Sequence, residues 1–234
     1  ADDQVVVWHD PVLHPAKCRP TGADYLGARV DELTLTQLRT VDVGSLTLAG
    51  FPRQRAVPGE RIPTLAEVFA ATTDAPIWWV IEVKIDVTDP RDRAARHTLL
   101  NGVLEAVTDA GVRDRVFIHS FDWAVLQRAR VLDPHLPVSA LAVVGETFAP
   151  RSKWLGTVQW DDHPDDLAGA AAELGASVVS PDFPSCTAEL VEQAHARGMA
   201  VLPWTVNDPV IFGDLADIGA DGVVTDLPDE MLAL

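Results

Sequence analysis

Apolar residues recur along this chain in short, almost unbroken runs, separated by longer segments with helical spacing. The runs cover residues 77–84 (IWWVIEVK), 116–121 (VFIHSF), 138–144 (VSALAVV), 176–181 (ASVVSP), 199–206 (MAVLPWTV) and 221–226 (DGVVTD). Runs this apolar predict strands buried on both faces, as in parallel sheets covered by helices. The intervening patterns supply those helices. In 64–72 (TLAEVFAAT), Leu65, Val68 and Phe69 share one face, and Thr64 with Glu67 has the spacing of a capping box. Helices are also predicted over 98–111 and 186–198, ending at Gly111 and Gly198, and over 122–134 behind an Asp122 cap. A further extended run, 5–13 (VVVWHDPVL), should read as a strand stopping at His9, because Pro11 removes a donor and disfavours helix at Asp10.

Strands alternating with helices fit either an open doubly wound sheet or a (β/α)8 barrel. No G-x-G-x-x-G follows a strand, whereas polar residues gather at strand C-terminal ends: Glu82, Lys84, Ser120, Thr205, Asn207 and Asp226. That placement belongs to the barrel, whose chemistry lies at its C-terminal mouth. The expected fold is therefore α/β, a (β/α)8 TIM barrel over residues 1–234 as a single domain, with six of its strands legible. Residues 18–61 read as a polar insertion with one helical piece at 34–42 (TLTQLRTVD).

Composition narrows the partners. The 234 residues are 47% hydrophobic and 23% charged, as in an ordinary globular domain, and no apolar run reaches the roughly 18 residues of a membrane span. With 18 basic against 35 acidic residues the formal charge is −17, which repels nucleic acid and anionic membrane surfaces. A phosphate-bearing substrate would then need a local positive centre. Cys18 and Cys186 lie too far apart for a metal or redox motif; whether they are bridged, and whether the compartment is cytoplasmic or secreted, stays open.

Glu82 and Lys84 are two apart on a strand and so face the same way. In a barrel mouth such a pair can bind a cation and a phosphate together; the plainer reading is an ion pair without catalytic duty. His9 by itself reads equally well as a hydrogen-bonded surface histidine, and Trp204 as core. The stretch 160–166 (WDDHPDD) looks like a metal cluster, but its acids are expected to cap the helix that follows. His119 and Ser120 are neighbours on a strand, so only one can line the mouth.

In order and approximate spacing, VVVWHDPVL, LTLTQLRTVDVG, IPTLAEVF, VIEVK, HSFD, PWTVND and GADGVVTDLPD resemble the motifs of the glycerophosphodiester phosphodiesterase family, from Asp3 to Pro228. The resemblance implies a (β/α)8 barrel, a divalent cation (Ca²⁺ or Mg²⁺) and hydrolysis of a small-molecule glycerophosphodiester to glycerol 3-phosphate and an alcohol. It implies roles as well. His9, in the family's "HD", would be a catalytic imidazole, Glu82 a metal ligand, and Lys84 the catalytic, phosphate-binding ammonium. Phe121 would form an apolar wall and Trp204 the aromatic contact with substrate. His119 is the nearest candidate for a second proton-transfer group. The family's H-R-G, P-E-N-T and E-x-D motifs have no counterpart here, so two strands, the other histidine and most metal ligands are expected to precede Ala1. The rival class is a catalytically silent relative that binds phosphate or phosphodiester. An aldolase-like barrel using Lys84 as a Schiff base fits less well, since Glu82 beside it favours a charged lysine.

Overall fold

The computed structural model describes residues 2–233. The chain divides into two compact units, Ala1–Pro76 with Asn101–Val112, and Ile77–Leu100 with Arg113–Leu234.

The first unit is built on an apolar cluster of Leu13, Cys18, Leu33, Leu38, Val41 and Ile62, flanked by half-buried Trp8, Tyr25 and Val43. Over it lies an antiparallel ribbon of β1 (Arg19–Pro20) and β2 (Val41–Asp42), with Pro20 opposite Val41. Two helices, α1 (Leu35–Leu38) and α2 (Leu65–Thr72), each start with a capping box, Thr34 with Gln37 and Thr64 with Glu67. Residues 18–61 thus carry more regular structure than their polar composition suggests. Their fixed point is Asp42. Its buried carboxylate accepts from the amides of Gly44 (2.9 Å), Ser45 (2.8 Å) and Gly59 (2.8 Å) and from the Ser45 hydroxyl (2.7 Å). Beside it, Val57 N–H donates to the Gly44 carbonyl at 2.7 Å, and a Cβ on Gly44 would stand 2.1 Å from the Val57 oxygen. Only glycine permits that approach.

The second unit holds a parallel sheet of β3 (Trp79–Glu82), β4 (Val116–Ser120), β5 (Val138–Ala142), β6 (Val178–Pro181) and β7 (Ala200–Val201), paired in chain order. A doubly wound sheet reverses its order at a switch point; this one does not, so its winding is that of a (β/α) barrel. The helices of this unit are the first half of α3 (Pro90–Asp109), whose second half belongs to the first unit, with α4 (Trp123–Leu132), α5 (Leu167–Leu174), α6 (Ala188–Ala196), α7 (Pro209–Asp217) and α8 (Pro228–Met231). Every residue of β4, β5 and β6 is buried, as continuous apolar runs require. Asp122, Asp166, Thr187 and Asp208 open α4, α5, α6 and α7 by accepting from backbone amides of the first turn.

Three expectations change. The run 5–13 is not a strand: Val6 and Thr64 form an isolated bridge, as do Val12 and Arg29, and the partner segment turns at once into α2. Residues 221–226 are extended but form no ladder, since Val224 donates to the Pro203 carbonyl and accepts from Val206, while Pro203 itself has no N–H to give. The ladder of β6 with β7 stops after two residues because Pro181 has no N–H to give to the Leu202 carbonyl, which accepts from the Ser180 hydroxyl instead. Finally, α3 starts at Pro90 rather than Thr98, because Asp89 accepts from Arg91 N–H at 2.8 Å; the charged turn RDRAARH has no apolar period to reveal it. Gly111 and Gly198 both take the positive φ expected after their helices.

The hydrogen bonds around Asp42, with the Ser45 hydroxyl foremost, hold its carboxyl well below the usual range. Its stabilisation is therefore complete above the ordinary carboxylate pKa of about 4 and is lost as acid forces the native state to take up the proton. Asp42→Ala should lower Tm at neutral pH, with the deficit against wild type narrowing below about pH 4. Thermal melts across that range read both effects, and a deficit independent of pH would show that the charge is irrelevant.

Candidate active site

The register of the second unit decides which side chains gather at the strand ends. Glu82 stands opposite His119, and His119 opposite Ser139, in parallel ladders that point all three the same way. One step further along the same face come Lys84 and Phe121. Glu82 Oε1 lies 2.8 Å from Lys84 Nζ, with the two side chains 27% and 37% exposed. At that exposure the ion pair itself contributes little stability. It is reachable from solvent.

His119 forms the floor beneath this pair. It is buried, and its Nδ1 lies 2.8 Å from the Ser139 hydroxyl. Burial, reinforced by the positive charge of Lys84, pushes its pKa down to about 3. The imidazole is therefore neutral at ordinary pH. His119, the candidate for a second proton-transfer group, thus lies buried below the Glu82–Lys84 pair in its neutral form.

Phe121 and Trp204 make one wall. Their rings meet edge to face with centroids 5.3 Å apart at 88°, and Trp154 meets Phe121 from another side at 6.1 Å and 73°. Trp204 Nε1 donates to the Ser180 carbonyl at 2.9 Å, which fixes the indole. Trp154 was not legible from sequence; its only signal is a large ring in the polar stretch RSKWLG. Beyond Trp204, Asn207 donates to Asp226 Oδ2 at 2.8 Å and accepts from the Thr225 hydroxyl at 3.0 Å, so three polar residues at the strand ends hold one another.

His9 belongs to the first unit, where it sits at an exposed bend. Its Nδ1 is 2.9 Å from Asp10 Oδ1, and Lys17 Nζ is 2.6 Å from Asp10 Oδ2. Burial raises the Asp10 pKa, but hydrogen bonds from Lys17 and His9 outweigh it and hold the carboxyl below its usual range. An ionised carboxylate only accepts, so Nδ1 carries the hydrogen and Nε2 is the basic nitrogen. Cys18 and Cys186 are free, buried thiols. In 160–166, Asp166 caps α5 through Gly169 N–H, as expected. Among the described residues no group of three or more His, Cys, Asp or Glu side chains could hold a metal ion.

The ammonium and carboxylate at the C-terminal ends of parallel strands, on the face that carries Phe121, lie where a (β/α) barrel places its site. Residues 1–230 match the Glycerophosphoryl diester phosphodiesterase family, and the chain belongs to it. A glycerophosphodiester phosphodiesterase of Caldanaerobacter subterraneus subsp. tengcongensis is 26% identical over 237 residues, aligning 100% of this chain with 81% of its own length. A solved protein of Silicibacter pomeroyi DSS-3, assigned as a glycerophosphoryl diester phosphodiesterase, superposes with a TM-score of 0.83 at 34% identity, over 98% of this chain and 77% of its own. An Oleispira antarctica phosphodiesterase in complex with its product sn-glycerol-3-phosphate shares the fold, with a TM-score of 0.72 at 19% identity over 99% and 79% of the two chains.

The state of His119 is directly checkable. Its ring resonances should hold their neutral positions from about pH 8 down to about pH 5, because both burial and Lys84 oppose protonation. A titration with a midpoint near 6.5, the unperturbed value of about that figure, would mean a solvated imidazole instead.

Proposed function

We propose that this protein hydrolyses glycerophosphodiesters to glycerol 3-phosphate and an alcohol, with water consumed across one ester P–O bond. The observation that carries the reading is the Glu82–Lys84 pair, 2.8 Å apart at the strand ends on the face that also bears Phe121. A phosphodiester carries one negative charge on its two free oxygens. In a chain of net charge −17, Lys84 supplies the local positive centre such a ligand needs. His119 below is neutral, and the Phe121–Trp204 wall shields one side of the pair.

A divalent cation, Ca²⁺ or Mg²⁺, is part of the proposal, with Glu82 as one of its protein ligands. The donor fits: Glu82 is a hard oxygen ligand, partly open to solvent. A single carboxylate falls short of the six or more oxygens either cation takes, so Glu82 would be one ligand among several. When bound, the cation neutralises charge on the phosphate. Lys84 donates to a phosphate oxygen, offsetting the charge that builds up as the P–O bond breaks. His9 is assigned the proton transfer, taking up or delivering a proton at Nε2 while Asp10 holds Nδ1.

Release of glycerol 3-phosphate from sn-glycero-3-phosphoethanolamine, followed with and without a chelator, tests the reading. Binding without turnover would instead identify a silent relative that retains the pocket. His9→Ala should lower kcat by about 10²–10⁴-fold with little change in Tm, since the residue is exposed; near-normal turnover would remove it from the chemistry. Lys84→Met should lower kcat/KM by about 10²-fold or more, while Glu82→Gln should raise the cation concentration needed for half-maximal activity. If cation affinity is unchanged in the Glu82 variant, the pair is a structural one.

A further inference from the structure

Ser120 follows His119 on β4 and therefore faces the opposite side of the sheet. Its hydroxyl is fully buried and donates to the Val83 carbonyl at 2.8 Å. Val83 is the residue between Glu82 and Lys84. Its own N–H donates to the His119 carbonyl at 2.8 Å, so both of its backbone groups are tied to β4. The β3–β4 ladder ends at the Glu82–His119 pair. The rung after it, which a backbone amide would make in a continuing sheet, is made by the serine side chain.

That hydroxyl is held in turn. Asp122 N–H donates to Ser120 Oγ at 3.1 Å, leaving the serine hydrogen for Val83. The Asp122 side chain is fully buried; its Oδ1 accepts from Ala124 N–H at 3.2 Å, and its Oδ2 accepts from Arg96 Nε, on α3, at 2.5 Å. Helix α3, the start of α4 and the ends of β3 and β4 thus meet in one buried chain of hydrogen bonds. Nothing in it touches the ligand side of the sheet.

We propose that Ser120, fixed by Asp122 and Arg96, is a positioning residue that sets the direction in which Glu82 and Lys84 leave β3. The peptide groups flanking Val83 carry those two side chains, so a turn of the Val83 carbonyl swings the ammonium away from the carboxylate. Simple packing would need only the volume of the serine and would be met by alanine. Positioning needs the hydroxyl. As a statement about catalysis the inference rests on the function proposed above; as a statement about geometry it does not.

The experiment separates the two. Ser120→Ala, Ser120→Thr and Arg96→Lys are made in the full chain. Turnover of sn-glycero-3-phosphoethanolamine is measured beside the NMR signal of Lys84 after reductive ¹³C-methylation. Lys17, Lys84 and Lys153 are the only lysines in the chain, so the spectrum is simple, and Lys84→Arg assigns it. Ser120→Ala should lower kcat about 10- to 100-fold with KM within about threefold, the cost of misplacing a catalytic group by a fraction of an ångström to one ångström. Its Lys84 signal should move towards that of Lys153. Ser120→Thr, which keeps the hydroxyl, should recover most of the rate and the wild-type signal, while Arg96→Lys, which retains the charge but removes the Nε donor, should give a smaller loss in the same direction. Where the alanine variant does not fold, the Arg96 variant carries the comparison. Unchanged kcat and an unmoved Lys84 signal in a folded Ser120→Ala protein would overturn the proposal, as would a folded threonine variant no better than alanine. If wild type hydrolyses no glycerophosphodiester, the proposed function fails and the Lys84 signal alone decides the positioning.

Discussion

A parallel strand that must display polar side chains at its end has to stop pairing there, and each backbone group released must find another partner. At the end of β3 this is met across a single residue. Val83 gives its N–H to the His119 carbonyl and receives the Ser120 hydroxyl on its own carbonyl. The arrangement satisfies the backbone without extending the sheet, so Glu82 and Lys84 stand clear at the strand ends. It also explains why a fully buried carboxylate, Asp122, is retained at the turn after β4. Burial raises its pKa and the Arg96 guanidinium counters this, and in return it caps α4 and orients the serine.

The ligand side of the same sheet has the opposite electrostatic character. Its floor is a neutral imidazole, its wall is aromatic, and its Glu82–Lys84 ion pair is partly exposed. Lys84 Nζ, 2.8 Å from Glu82 and partly exposed, is placed where an anion can reach it. The strongly acidic composition makes this local positive centre matter more, since a net charge of −17 repels anions.

The first unit is organised differently, around a carboxylate that accepts hydrogen bonds rather than around a ladder. Its ribbon has only two residues per strand, too short to specify much by pairing. Asp42 collects donors from Gly44, Ser45 and Gly59 and so closes a polar loop that apolar residues could not close. In the same unit the Asp10 carboxylate, shared between Lys17 and His9, fixes which nitrogen of His9 is basic.

Much of this protein was determined by sequence alone, and for a local reason. Period, caps and turn residues act within a few positions, so the strands, the capping box at Thr64, the caps at Asp122 and Asp166, and the shared face of Glu82 and Lys84 could all be read directly. Resemblance to the family's motifs added expected roles for His9, Phe121 and Trp204. What the chain could not reveal depended on neighbours distant in sequence. That 5–13 and 221–226 fail as strands follows from a partner that turns into a helix and from Pro203 in the facing segment. Whether His119 or Ser120 faces the ligand, and that His119 stays neutral, was decided by register with β3 and β5 and by burial. The contact of Trp154 with Phe121, and the reach of Arg96 to Asp122 and of Ser120 to Val83, join segments that no short-range pattern connects. Local propensity chooses the elements, but only packing brings a side chain to a backbone carbonyl 37 residues away.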